Sequence, residues 1–301
     1  MKIGVFDTNQ FKFTQGMIDR WVGCGHEVRQ MYTCHQPIIE WADVLWFDCV
    51  DGNLLWATGD EGAPLLKGKR VIARAIDLDV WAGHFTGVNW GLVNHLIFIA
   101  PHIKEYFFSR KAVPASCQVH TIPCGVDTER FALKKDLRRT NDVAVVMRLW
   151  MGKGIQLLMQ AIAMCPEFNF HICGAWGMGG GEREWFTRYW DEFLRPCKNW
   201  TLVGSVPDMS AWLENKTYAL TCSGKETFGY FNGESMSKGL MPLMHSFYGA
   251  RKIWPSQYIW RTLDDLRNML YYMPYEPQQY RQFILENYSL DAMMERINVL
   301  L

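Results

Sequence analysis

Apolar residues in this chain come in short, separated runs. KIGVF (2–6), ADVLWFD (42–48), KRVIARAI (69–76) and VNHLIFIA (93–100) are dense in β-branched and large apolar side chains. Runs of this length and density predict strands buried on both faces. GHEVRQMY (25–32) and QVHTIPCG (118–125) predict two further strands. The segments between them, around residues 17–24 and at HIKEYFF (102–108), have helical spacing or bulk. Strands alternating with helices imply a parallel sheet covered on both sides.

The pattern then breaks and restarts. GVDTERFALKKDLRRTND (125–142) is charged and follows neither period, so it is predicted to be the connection between two domains. After it come DVAVVMRL (142–149), FNFHICG (168–174), WTLVGSV (200–206), KTYALTCS (216–223) and LMPLMHSF (240–247) as strands. GIQLLMQAIAM (154–164), REWFTRYWDEFL (183–194), FGYFNGESMSKG (228–239) and TLDDLRNMLYYM (262–273) alternate with them as helices, and Asp208 is placed to cap a short helix at 208–215. The tail reads as two helices broken near Ser289. The prediction is an α/β protein made of two Rossmann-like halves in tandem.

Composition narrows the function. The 31 basic residues balance the 31 acidic ones, which argues against nonspecific nucleic-acid binding. Nine scattered cysteines without a CxxC pair, and an N-terminus lacking a charged and then apolar leader, predict free thiols in the cytoplasm. No apolar run reaches membrane-spanning length. Fourteen tryptophans suit a large core and also stacking on sugars or bases.

Candidate chemistry gathers at predicted strand ends in the second half. In open α/β sheets, ligands sit beyond the carboxyl ends of the strands. Arg148 closes DVAVVMRL and Lys153 follows it, Gly174 ends FNFHICG, and Glu226 follows KTYALTCS. Phe228 and Gly229 are predicted to begin the next helix, which also carries Glu234. A guanidinium and an ammonium supply countercharge to phosphates. A helix N-terminus adds free N–H groups and the positive end of a dipole. Together they predict a nucleotide-diphosphate pocket. The two glutamates fit it if they accept from neutral hydroxyls, one on a sugar and one on a ribose.

The same residues carry a resemblance. HTIPCGVDTERF (120–131), RLWMGKGIQLLMQAI (148–162), FHICG (170–174), VGSVPDMSAWL (203–213) and ETFGYFNGESMSKGLMPLMHSFYGA (226–250) resemble, in order and spacing, the retaining glycosyltransferases of family 4 and their group 1 glycosyl transferase domain. The resemblance is weaker before residue 118. It implies a GT-B fold: two Rossmann-like domains facing a central cleft, with the C-terminal helix crossing back. The expected division is 1–132, joined by 278–301, and 133–277.

The resemblance also implies roles. Arg148, Lys153 and Glu226 form the catalytic set, the two cations on the donor diphosphate and Glu226 on the donor sugar. Phe228, Gly229 and Tyr230 present backbone N–H groups, Glu234 accepts from the ribose, and Gly174 and Gly16 (the latter in the first loop) lie near the donor. No cofactor or metal is expected, because two cations and a helix end supply the positive charge.

The chain departs from the family at Met147 and Thr227, where glycine is usual, and at Cys124, where asparagine is usual. It also lacks the family's histidine after the fourth strand. Arg74, Asp77, Asp79 and His84 are the candidates to replace it, Arg74 and Asp79 flanking the predicted strand end.

The implied reaction moves a hexosyl or pentosyl group from a nucleotide-sugar to an acceptor hydroxyl with retention. A glycan, a lipid-linked glycan or modified DNA stays open as acceptor, and the oligomeric state is open too. Two alternatives stand beside it: a nucleotide-sugar epimerase or hydrolase of the same fold, and a non-catalytic nucleotide-sugar-binding scaffold.

Overall fold

The computed structural model describes residues 1–301 except the side chains of Asp77, Leu78 and Trp81, so the Asp77 candidate lies outside the described side chains. The chain forms two compact units, residues 1–125 with 290–301 and residues 126–289. The expected division lay a few residues later at the first crossing and earlier at the second.

Unit 1 contains a six-stranded parallel sheet. Its strands are β1 (Lys2–Phe6), β2 (Glu27–Met31), β3 (Val44–Phe47), β4 (Arg70–Ala75), β5 (His95–Phe98) and β6 (Gln118–Thr121), in the order β2-β1-β3-β4-β5-β6. β3 is buried along its whole length, whereas the edge strand β2 is largely exposed and reads EVRQM, with charges that discourage edge pairing. Helices α1 (Gln15–Gly23), α2 (Gln36–Trp41), α3 (Gly52–Thr58), α4 (Asp77–Ala82) and α5 (Pro101–Phe108) connect the strands. The sequence reading missed α2, α3 and α4, each too short to show a helical period. α3 is fixed locally by Asp51, whose side chain accepts from the Asn53 N–H at 2.9 Å.

Unit 2 repeats the plan with β7 (Asp142–Val146), β8 (Asn169–Cys173), β9 (Trp200–Gly204), β10 (Tyr218–Thr221), β11 (Met241–His245) and β12 (Ile259–Trp260), in the order β12-β11-β10-β7-β8-β9 and all parallel. Its helices are α6 (Ile155–Met164), α7 (Gly180–Leu194), α8 (Met209–Trp212), α9 (Tyr230–Ser237), α10 (Leu263–Tyr272) and α11 (Pro277–Asn287). Asp208 caps α8 as expected, accepting from the Ala211 N–H. β12, only two residues long, has no sequence signal of its own.

Residues 126–142 do not behave as a free connection. Phe131 is buried in the core of unit 2 with Ala144, Leu213, Ala219, Phe231 and Leu240. Lys134 is buried and donates to the Lys216 carbonyl at 2.5 Å. Arg139 donates to the Tyr218 hydroxyl at 2.7 Å and to the Leu270 carbonyl at 2.8 Å. Long basic side chains lay their apolar stems on the unit and spend their N–H groups on backbone carbonyls. That is why a charged stretch looked like a linker and packs like a core segment.

The final helix, α12 (Leu290–Asn298), belongs to unit 1, as the crossing back had implied. Leu290, Met293, Met294 and Ile297 recur on one helical face and enter the same core as Ile3, Trp21, Trp46 and Ile72. Each such side chain contributes about 1.5–3 kcal/mol when fully buried. Trp21 Nε1 donates to Asn298 Oδ1 at 3.1 Å. Where the chain leaves and re-enters unit 2, the Val126 N–H donates to the Tyr288 carbonyl at 2.8 Å.

Candidate active site

The strand order of unit 2 reverses at one place. β7 leads outward through β8 to β9, and the chain then returns to place β10 on the other side of β7. At such a switch point the loops after the two central strands diverge and leave a crevice beyond their carboxyl ends. Arg148, Lys153 and Glu226 lie on those two loops.

Beyond β7 the backbone stays extended. The Met147 N–H donates to the Cys173 carbonyl at 3.0 Å, the Leu149 N–H to the Ala175 carbonyl at 2.9 Å, and the Gly177 N–H to the Leu149 carbonyl at 2.9 Å. Extended backbone alternates its side chains. Met147 and Leu149 are buried, and Arg148 between them is exposed. Gly177 makes room for it: a Cβ there would lie 2.6 Å from Arg148 Cγ and Nε. Gly174 is demanded by the backbone. Its φ is +146°, and a Cβ would lie 1.8 Å from the Met147 carbonyl oxygen. Sequence reasoning assigned Gly174 to the ligand; the structure also gives it this packing role.

Lys153 ends a 3-10 turn, Met151–Lys153, and Gly154 follows at φ +73°. A Cβ at Gly154 would lie 2.0 Å from the Cys222 carbonyl oxygen. This close approach brings the loop after β7 onto the end of β10. Lys153 Nζ consequently lies 2.5 Å from Glu226 Oε1, with side chains 31% and 19% exposed. Gly154 was not singled out from the sequence, although a glycine directly after the lysine was the available signal.

The helix after Glu226 starts later than expected, at Tyr230, with Gly229 as N-cap at φ +79°. No side chain caps this end, and its first turn holds no acidic residue. Phe228 is buried; its carbonyl accepts from Trp254 Nε1 at 3.1 Å and its ring packs against Trp254 and Tyr288. Glu234 is the fifth residue of α9, about one turn inside at 3.6 residues per turn. Burial pushes its carboxyl up to about 7, opposed by the charge of Arg130.

The remaining candidates belong to unit 1. Gly16 is in α1 rather than in the preceding loop, and a Cβ there would lie 3.2 Å from Leu290 Cδ2, so helix packing accounts for it. Arg74 is buried against Asp48, with Nε 2.6 Å from Oδ1 and Nη2 donating to Oδ2 at 2.8 Å. Asp79 is buried too; its Oδ2 accepts from the Val50 N–H at 2.8 Å and the Ile76 N–H at 3.1 Å. Burial pushes its carboxyl up to about 7, with Asp51 and Asp48 adding to the rise and the two N–H groups opposing it. Asp7, after β1, is also raised by burial and by Asp48. Arg74 and Asp79 therefore meet in one acidic cluster at the carboxyl ends of the unit 1 strands, and His84 lies exposed on a later turn. Among the described residues, no three His, Cys, Asp or Glu side chains converge as a metal site, and no helix is long and apolar enough to cross a membrane.

Residues 127–257, all within unit 2, match the family described as Glycosyl transferases group 1. The chain is similar to sucrose-phosphate synthase (tll1590) from Thermosynechococcus elongatus, with TM-score 0.78, 13% identity, and 100% of this chain and 98% of that one covered. The second unit matches a group 1 glycosyltransferase domain, and the fold is GT-B. Another GT-B structure, Alr3699/HepE from Anabaena in complex with UDP-glucose, aligns with TM-score 0.72 and 13% identity over 99% of this chain and 98% of that one. The pneumococcal O-GlcNAc transferase GtfA, in complex with UDP and GlcNAc, aligns with TM-score 0.62 and 16% identity over 85% of this chain. The chain spans about half the length of GtfA (55%) and of TarM (54%). No curated protein sequence matches it.

Proposed function

We propose that the protein is a retaining glycosyltransferase of the family 4 type, moving a hexosyl or pentosyl group from a nucleoside-diphosphate sugar to an acceptor hydroxyl. One observation carries this reading. Lys153 and Glu226 meet at the topological switch point of unit 2, beside a helix N-terminus that no side chain caps. A cation, a hydroxyl acceptor and an anion-binding helix end are what a sugar diphosphate requires.

In this mechanism the bond from the anomeric carbon to the diphosphate oxygen breaks through an oxocarbenium-like transition state. Arg148, Lys153 and the N-terminus of α9 offset the charge that grows on the leaving diphosphate. The acceptor oxygen bonds to the anomeric carbon on the same face, and its proton passes to the leaving phosphate oxygen. Glu226 orients the sugar hydroxyls and Glu234 the ribose. The three positive groups take the place of a metal. The structures of HepE with UDP-glucose and of GtfA with UDP and GlcNAc make uridine donors the first to test.

The test is a panel of nucleotide sugars screened for binding by thermal shift. Turnover of the best binder is then followed by NMR with candidate glycan, lipid-linked and modified-DNA acceptors, in EDTA. Transfer with an unchanged anomeric configuration supports the reading. Conversion of donor alone would point to an epimerase or hydrolase, and tight binding without turnover to a scaffold.

A further inference from the structure

We infer that Asn232 is a donor-binding residue, its side-chain amide hydrogen-bonding an oxygen of the diphosphate seated on the N-terminus of α9. This rests on the proposed donor site and adds a residue to it.

Asn232 lies in the first turn of an eight-residue helix and is 1% exposed. Its Oδ1 accepts from the Thr221 hydroxyl at 3.3 Å, which turns the amide nitrogen toward the helix mouth. Nδ2 sits against Gly229: a Cβ on that residue would lie 2.9 Å away. Among the described residues Nδ2 has no hydrogen-bond partner. A buried amide donor left unmade is costly, and native structures rarely keep one without a use.

The orphan points where the helix already invites an anion. Gly229 is the N-cap, in left-handed backbone, and has no side chain of its own to set against Nδ2. An amide N–H directed at a phosphate oxygen is a charge-assisted bond, about twice as strong as a neutral one. The unmade bond is then the signature of an absent ligand oxygen. Gly229 is required twice, for its φ and for the space that Nδ2 occupies.

The test is calorimetric titration of the full chain with UDP, GDP, ADP and dTDP, using whichever the wild type binds most tightly. Asn232→Leu keeps the branched outline of the side chain, with bulkier ends, and removes the N–H. Its melting temperature without ligand is expected to equal or exceed that of the wild type, because the orphan is gone, while its affinity for the diphosphate falls about tenfold. The corresponding nucleoside monophosphate should lose less. A purely structural role would make stability and affinity fall together. Affinity within about twofold of wild type overturns the inference. So does a crystal structure of the wild type with the diphosphate in which Nδ2 reaches no ligand oxygen, and this arm decides the matter if Asn232→Leu does not fold. Failure of the wild type to bind any diphosphate or nucleotide sugar would overturn the donor-site reading itself, and this inference with it.

Discussion

Lys153 and Glu226, which come from the loops after two adjacent parallel strands, form an ion pair at 2.5 Å across the end of the β7–β10 seam. The sequence placed them on different parts of a ligand; in the structure they hold each other. Both side chains are partly solvated, so the pair is worth no more than about 1 kcal/mol and a diphosphate can displace it. Lys153→Ala is therefore expected to leave the melting temperature nearly unchanged and to lower turnover about 100- to 1,000-fold, the range for a removed charge-stabilising group. Unaltered turnover in a donor-consumption assay would remove Lys153 from the mechanism.

Glu226→Ala and Glu234→Ala should separate. The first is expected to reduce turnover more than binding of the nucleoside diphosphate, because its proposed partner is the sugar. The second should weaken the nucleotide itself. Titration calorimetry and initial rates on both variants check the pair; equal and negligible effects would return the motif to chance.

Glu234 also predicts a pH dependence. Burial raises its carboxyl from the ordinary 4.5 to about 7, so between those values the folded chain holds a proton that the unfolded chain has released. Stability contributed at this position falls as pH rises through that window, and the cost is complete above about 7. Glu234→Gln should thus raise the melting temperature at pH 8 and change it little at pH 4.5. Scanning calorimetry at the two values is the measurement. If Glu234 holds the ribose as proposed, donor affinity of the wild type should rise from pH 6 to pH 8 as the carboxylate forms.

Gly177→Ala tests the seating of Arg148. The new methyl would lie 2.6 Å from the arginine stem, which must swing away. Gly177 has no left-handed φ, so the backbone itself loses nothing. If Arg148 acts as proposed, the expected result is up to about a hundredfold loss of turnover, the cost of a displaced contact, with little change in melting temperature.

In unit 1, Arg74→Ala would leave Asp48 buried and unpaired, at a cost of about 3–5 kcal/mol. His84→Ala, on an exposed turn, should cost no more than about 0.5 kcal/mol. Chemical denaturation distinguishes them. If His84→Ala abolishes transfer while leaving stability intact, the acceptor-side chemistry belongs to the turn and not to the buried cluster.

Eleven of the twelve strands were legible, most of them as apolar runs long enough to stand out although β2 and β6 are largely polar, and β12, with two residues, is not. The switch point could be read only indirectly: Arg148, Lys153 and Glu226 were placed correctly at strand ends, but that β10 returns beside β7 is a matter of topology. What the sequence hid was contact. Nothing in GKETFGYFNGES says that Gly154 must touch Cys222, or that Asn232 turns its amide under Gly229. The charged stretch 126–142 misled because composition reports where side chains could be solvated and not where their stems pack. Arg74 resisted for the same reason: a guanidinium at a strand end signals a ligand site only until a buried partner such as Asp48 is found.

The return of α12 has a consequence for biosynthesis. Residues 126–289 close their core on their own, but the core of unit 1 needs Leu290, Met293, Met294 and Ile297. During synthesis from the N-terminus, at about 5–20 residues per second, the first half of the chain must wait for the whole of the second. Trp21, Trp46 and their neighbours lack their final cover throughout that interval. The later-made unit can be native first, and the earlier-made one is the part that chaperones have reason to hold.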